Sequence, residues 1–224
     1  MVTDTLPRTH HFSSERVISK RMNSHLRVDR YGDFLLTDAV RPSLDVRIVP
    51  AEGYRVGIYR DPAADLRVPV LAAAVSCERL FDAFLSLLEP LGPVVNAVLE
   101  TSHDSEGASH RDLFRSEVDL PVLESYFCEF EQLLTHDGCT GVAVISAEAP
   151  IEVQFDEHKL LTIYASDLRP FERLLRESGV ARNDRIRFIT EDEHLHTSKP
   201  RYAEEFQQLA CRLGVGRMAE HVSW

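Results

Sequence analysis

The sequence predicts an α+β fold of two similar lobes, each a small mixed β-sheet with helices packed on one face. Three observations lead there. First, 70–104 and 160–194 read as one unit written twice: an apolar strand, then Ser76 or Ser166, then a helix carrying Arg79-x-Phe81 or Arg169-x-Phe171, then a second apolar strand with an acidic, histidine-bearing tip. Second, Leu80, Phe81, Phe84, Leu85, Leu87 and Leu88 fall at helical spacing, as do Leu168, Phe171, Leu174 and Leu175. Third, Ile151, Val153 and Phe155 alternate with Glu152 and Gln154, the pattern of a strand with one dry face.

The elements follow in order. Residues 1–30 form a basic extension with six Lys/Arg against three Asp/Glu, so the remaining chain carries −14 of the net −11. The first lobe spans 31–104. Its start is broken by prolines and glycines into short strands at Val46–Val49 and Arg55–Tyr59, with a hairpin between them. Strand 70–75 leads to Ser76, whose hydroxyl suits a helix N-cap. The helix ends near Pro90 and Gly92, and strand 94–99 returns. Residues 105–119 are polar and without period, which predicts a connector.

The second lobe spans 120–224. Asp119 and Pro121 mark a helix start, and Leu123, Phe127, Phe130, Leu133 and Leu134 give it a buried face. Strands 142–145 and 151–155 form a hairpin, and 160–164 follows. A helix over 167–178 ends at Gly179, a strand is expected at Ile186–Ile189, and a last helix runs from Ser198/Pro200 to Gly214. Trp224 is read as a docking anchor or a frayed end.

With 224 residues, 44% hydrophobic and 27% charged, the chain has the composition of a soluble globular protein. A net charge of −11 argues against nucleic acid, which requires clustered Lys and Arg. No apolar run is long enough to span a membrane. Four cysteines without a C-x-x-C pair fit a reduced, cytoplasmic chain, with Cys77, Cys128 and Cys211 expected on helices, where thiols are commonly buried. The start lacks the apolar core of a secretory signal. Phe81, Phe84, Phe127 and Phe130 are expected to supply the seam between lobes and the surface of a homodimer.

Chemistry concentrates where histidines meet carboxylates. His194-x-His196 puts two imidazoles on one side of an extended segment, beside Glu191, Asp192 and Glu193. His103 and Asp104 hold the matching tip of the first unit, with His110 nearby. If the tips converge, His103, Asp104, His194 and His196 would hold zinc or manganese, with Glu191 or Glu193 as general base for a bound water. The plain alternative is a solvated, acidic strand end. In Asp156-Glu157-His158 a carboxylate beside an imidazole would set its tautomer and raise its pKa, unless the segment is only a polar turn. Cys139, in Asp-Gly-Cys-Thr-Gly, is a thiol enzyme's nucleophile only if accessible and within reach of an imidazole.

No phosphate-binding glycine loop and no G-x-S-x-G elbow occurs. The leading expectation is therefore a non-enzymatic intracellular binding or regulatory module, with no required cofactor and with a small-molecule or protein ligand of unknown identity. The rival is a metal-dependent hydrolase built on the two tips.

Overall fold

One sheet organises the chain, and its strands come from both expected lobes. The computed structural model describes residues 21–61, 66–103 and 110–217. Short strands β1 (Arg30–Tyr31), β2 (Phe34–Leu35) and β3 (Val40–Pro42) precede the long hairpin β4 (Gly53–Asp61) and β5 (Leu66–Ala74). Helix α1 (Cys77–Leu88), strands β6 (Val94–Thr101) and β7 (Arg111–Asp119), and helices α2 (Leu120–Glu129) and α3 (Glu131–His136) follow. Then come β8 (Thr140–Ser146), β9 (Glu152–Phe155), β10 (Leu160–Tyr164), α4 (Arg169–Glu177), β11 (His194–His196), α5 (Pro200–Leu213) and β12 (Gly216–Arg217). Eight of the strands form one sheet in the order β12-β7-β6-β8-β9-β10-β5-β4, with every neighbouring pair antiparallel.

The register shows why the sheet holds. Tyr54, Ala73, Leu161, Phe155, Val142, Leu99 and Leu113 stand opposite one another, one from each of seven strands. All seven are buried, and α1 to α5 pack their apolar faces on that side. Phe84 is the keystone. It is fully buried, with ring centroids 5.5 Å from Phe127 on α2 and 4.9 Å from Phe155 on the sheet. The opposite face carries Gln154, Thr162 and Tyr164. At one corner a smaller core covers it, where Ala74 and Leu160 meet Phe34, Leu36, Val40 and Phe188.

The α+β class and the helices on one face agree with the sequence reading. The mixed sheets do not: among the described residues every pair of named strands is antiparallel, and only an isolated bridge between Tyr54 and Arg182 is parallel. The duplication is not shown either. β5–α1 and β10–α4 are adjacent antiparallel strand–helix pairs, but 186–188 has no regular structure and leads into a 3₁₀ turn at Ile189–Glu191. Residues 46–49 are likewise not a strand; Val46 has φ +41°. The connector is strand β7 from Arg111 on. It reads as a linker because only Leu113 and Val118 of it are buried.

The basic extension joins the fold from residue 21, with 21–25 helical. Ser76 is the N-cap residue of α1 but does not cap it: its hydroxyl accepts from Leu35 N–H and donates to Glu78. The long helix expected over 120–136 is two, divided at Phe130. Phe81, Phe84, Phe127 and Phe130 are all buried, so these four rings seam the molecule internally and are not themselves a surface. Cys128 and Cys211 lie on exposed helix positions. Trp224 lies outside the described residues. Among those described, no helix is long and apolar enough to cross a membrane.

Phe84→Ala removes the ring common to sheet, α1 and α2. It is expected to cost about 3–5 kcal/mol, read as a lower urea midpoint with an unchanged slope.

Candidate metal centre

Five pieces of chain meet at one end of the sheet: the end of β6, the loop between α3 and β8, the β9–β10 turn, β11, and the segment leading into β3. Arg41 anchors the last of these, its buried guanidinium donating to the carbonyls of Leu26, Thr37 and Val40. β3 in turn pairs with β11, with Pro42 opposite His194 and Val40 opposite His196.

His158 sits in the β9–β10 turn, which Asp156 builds. One Asp156 oxygen accepts the backbone N–H of His158 at 3.0 Å and of Leu160 at 2.9 Å, while Lys159 takes a left-handed φ of +63°. The other oxygen lies 3.1 Å from His158 Nδ1. His194 and His196 share one side of β11 by strand alternation. The three rings come together, with centroids 4.9 Å (158–194), 4.7 Å (158–196) and 5.1 Å (194–196) apart. One nitrogen from each lies within 4.8 Å of the other two.

The hydrogen bonds around the rings settle which nitrogen is free. His194 Nδ1 is 2.8 Å from the Asp192 carbonyl, and His196 Nδ1 is 2.8 Å from the Gly138 carbonyl. A carbonyl only accepts, so each Nδ1 carries the proton, and the Asp156 carboxylate imposes the same tautomer on His158. In the neutral rings every Nε2 keeps its lone pair. Outer groups that fix imidazoles in this way accompany metal-ligating histidines. Burial lowers the pKa of His158, but the Asp156 hydrogen bond and the charges of Asp156 and Glu157 raise it further, to a net rise. His196 goes down, through burial and the neighbouring His158 and His194, against the pull of the Gly138 carbonyl and Glu157.

A second group lies behind the first. His103 Nε2 is 2.7 Å from Asp137 Oδ2, which also accepts from Thr140 Oγ1 at 2.6 Å. Asp137 is fully buried, and its Oδ1 has no hydrogen-bond partner. Ligand atoms of His103, Asp137 and Cys139 lie within 4.8 Å of one another. Lys159 is buried beside them, its Nζ donating to the Thr140 carbonyl at 2.7 Å, and burial depresses its pKa to about 8.

The expected site is thus re-sorted. His194 and His196 do converge with a third imidazole, but it is His158; His103 belongs with Asp137 and Cys139, and Asp104 lies outside the described residues. Glu191 is committed to structure: it accepts Phe188 N–H at 3.1 Å and pairs with Arg55 at 2.9 Å. Burial opposes its ionisation, yet those two groups and Arg187 hold its pKa below the ordinary carboxylate value. Glu193 is exposed and alternates to the other side of the strand from His194. Glu157 is the carboxylate whose charge reaches both His158 and His196.

His136 is not the imidazole beside Cys139, since its Nδ1 accepts Asp38 N–H at 3.1 Å. Cys139 is half-buried, and burial pushes its thiol pKa up. A narrow pocket of about 30 Å³ runs from His158 and Lys159 between Phe34, Leu36, Val40 and Phe188. Compared with protein-family models, curated proteins and solved structures, the chain matches none.

Gly138 holds both groups in register. A Cβ there would sit 2.3 Å from the Ala39 carbonyl oxygen and 2.8 Å from that of Thr197, both backbone. Gly138→Ala is therefore expected to cost about 1–3 kcal/mol or more, by chemical denaturation, and to shift the His196 resonances in an NMR spectrum.

Proposed function

We propose that His158, His194 and His196 hold a divalent metal ion and that the protein is a metal-dependent hydrolase. The observation that carries this reading is the fixed tautomer: three Nδ1 atoms are engaged by Asp156, Asp192 and Gly138, which leaves an Nε2 lone pair on each of three rings whose centroids lie within 5.1 Å of one another. Three neutral imidazoles favour zinc over harder ions, which take more oxygen. Three protein ligands with one side open to solvent match the catalytic arrangement, and His196 lies on that open side.

The ion would lower the pKa of a bound water towards neutrality. Glu157, whose charge reaches His158 and His196, would accept the water's proton. The water's oxygen would bond to an acyl carbon or a phosphorus, the bond to the leaving group would break, and Glu157 would return the proton to that group. The pocket beside His158 has apolar walls, which favours a substrate with a small apolar substituent next to the scissile bond.

A binding module without turnover would use the same pocket and differs only in the absence of catalysis. Metal analysis of the purified chain, followed by an ester, amide and phosphate ester panel with and without zinc, separates the two. Stoichiometric zinc with zinc-dependent turnover supports the hydrolase. Zinc without turnover leaves a metal-dependent binding protein, and no zinc uptake overturns the centre.

Two variants sharpen the assignment. His158→Ala is expected to abolish zinc binding at this centre, whereas a centre without His158 would keep its affinity. Asp156→Asn, which still caps the turn but offers His158 an N–H in place of an acceptor, is expected to weaken zinc about 10–100-fold by calorimetry.

A further inference from the structure

We propose that His103, Asp137 and Cys139 form a second, more deeply buried cation site, of the zinc class, that braces the loop carrying Gly138. It shares no ligand with the three-histidine centre, so either site stands without the other.

The argument starts from an unsatisfied atom. Buried carboxylate oxygens are almost always hydrogen-bonded, and an orphan among them calls for an ion or a water. Asp137 has no exposed surface; Oδ2 accepts from His103 and Thr140, the Ser198 hydroxyl lies near the carboxylate, and Oδ1 has no partner at hydrogen-bond geometry. A buried carboxylate with one unpaired oxygen offers that oxygen to a cation.

The neighbours supply the remaining donors. His103 Nε2 faces Asp137 Oδ2 at 2.7 Å, and an ion held by both would take the place of the proton between them. The Cys139 sulfur completes a set of nitrogen, oxygen and sulfur donors within 4.8 Å. That mixture suits zinc and disfavours magnesium or calcium, which take oxygen alone. On binding, the ion would displace the thiol proton to solvent as the sulfur–metal bond forms. The buried Lys159 ammonium is directed to the Thr140 carbonyl at 2.7 Å and leaves Oδ1 open.

The site also has a structural purpose. Asp137 and Cys139 flank Gly138, whose carbonyl accepts from His196 Nδ1 and whose N–H donates to the Thr197 carbonyl at 2.9 Å. Ser102 N–H donates to the Cys139 carbonyl at 3.0 Å, tying His103 to the same loop. An ion clamped by residues 103, 137 and 139 would stiffen the segment that orients His196.

Cobalt(II) titration of the chelator-stripped full chain tests this, because a thiolate bound to cobalt gives a charge-transfer band in the near ultraviolet and imidazoles alone do not. The expected result is two equivalents bound, with the band present. Cys139→Ser should lose the band and one equivalent while keeping the other. His158→Ala/His194→Ala should keep the band, which separates failure of the three-histidine centre from failure of this one. Asp137→Asn, with its fold checked by circular dichroism, should weaken the band-forming site at least tenfold. Cobalt binding without a band, or a band that survives Cys139→Ser, overturns the proposal.

Discussion

The site depends on one close backbone approach. Gly138 lies against Ala39 and Thr197 with no room for a side chain, and the three segments exchange hydrogen bonds there: Gly138 N–H to the Thr197 carbonyl, and Thr197 N–H to the Ala39 carbonyl. Through that contact the loop before β8, the start of β3 and the end of β11 become a single unit. Two imidazoles are placed relative to it, His196 through the Gly138 carbonyl and His103 through the adjoining Asp137. The sheet supplies the rigid floor, and this contact sets the register of what stands on it.

Electrostatics favour cations at the same end. The net charge is −11, and Asp137, Asp156 and Glu157 collect here around the buried Lys159 ammonium. Glu100 illustrates the crowding: burial raises its pKa, and the charges of Asp112 and Asp156 raise it further. Lys159 offsets part of that field from below the surface. A divalent ion arriving from solvent meets a negative potential on the way in and imidazoles at its end.

The sequence was most legible where the information is local. The helices α1, α4 and α5 follow from apolar spacing, and Gly214 stops α5 in a left-handed conformation with φ +60°. Strands β8, β9 and β10 follow from alternation and apolar runs. Legibility failed where burial is decided by distant partners. β7 lies near the sheet edge with most of its side chains exposed, so its sequence carries little alternation. The apolar run at 186–189 mimics a strand because Ile186, Phe188 and Ile189 fill the small core over β5 and β10.

For the site, strand alternation sufficed to pair His194 with His196, and Asp156-x-His158 already held the carboxylate that fixes its own imidazole. Nothing local reveals that β11 reaches the β9–β10 turn, because its partner β3 lies near the other end of the chain. The buried state of Asp137 was equally hidden, since an aspartate before a glycine reads as a turn.

The strand order also governs when the molecule can finish folding. β5 pairs with β10 and β3 with β11, so these strands wait for partners that come much later in the chain. Until then the β4–β5 hairpin has one side of β5 unsatisfied and its apolar face uncovered, the condition in which nascent chains associate wrongly. The histidines of β11 follow the strands β4 to β10, so they can join His158 only after seven of the eight sheet strands have been made.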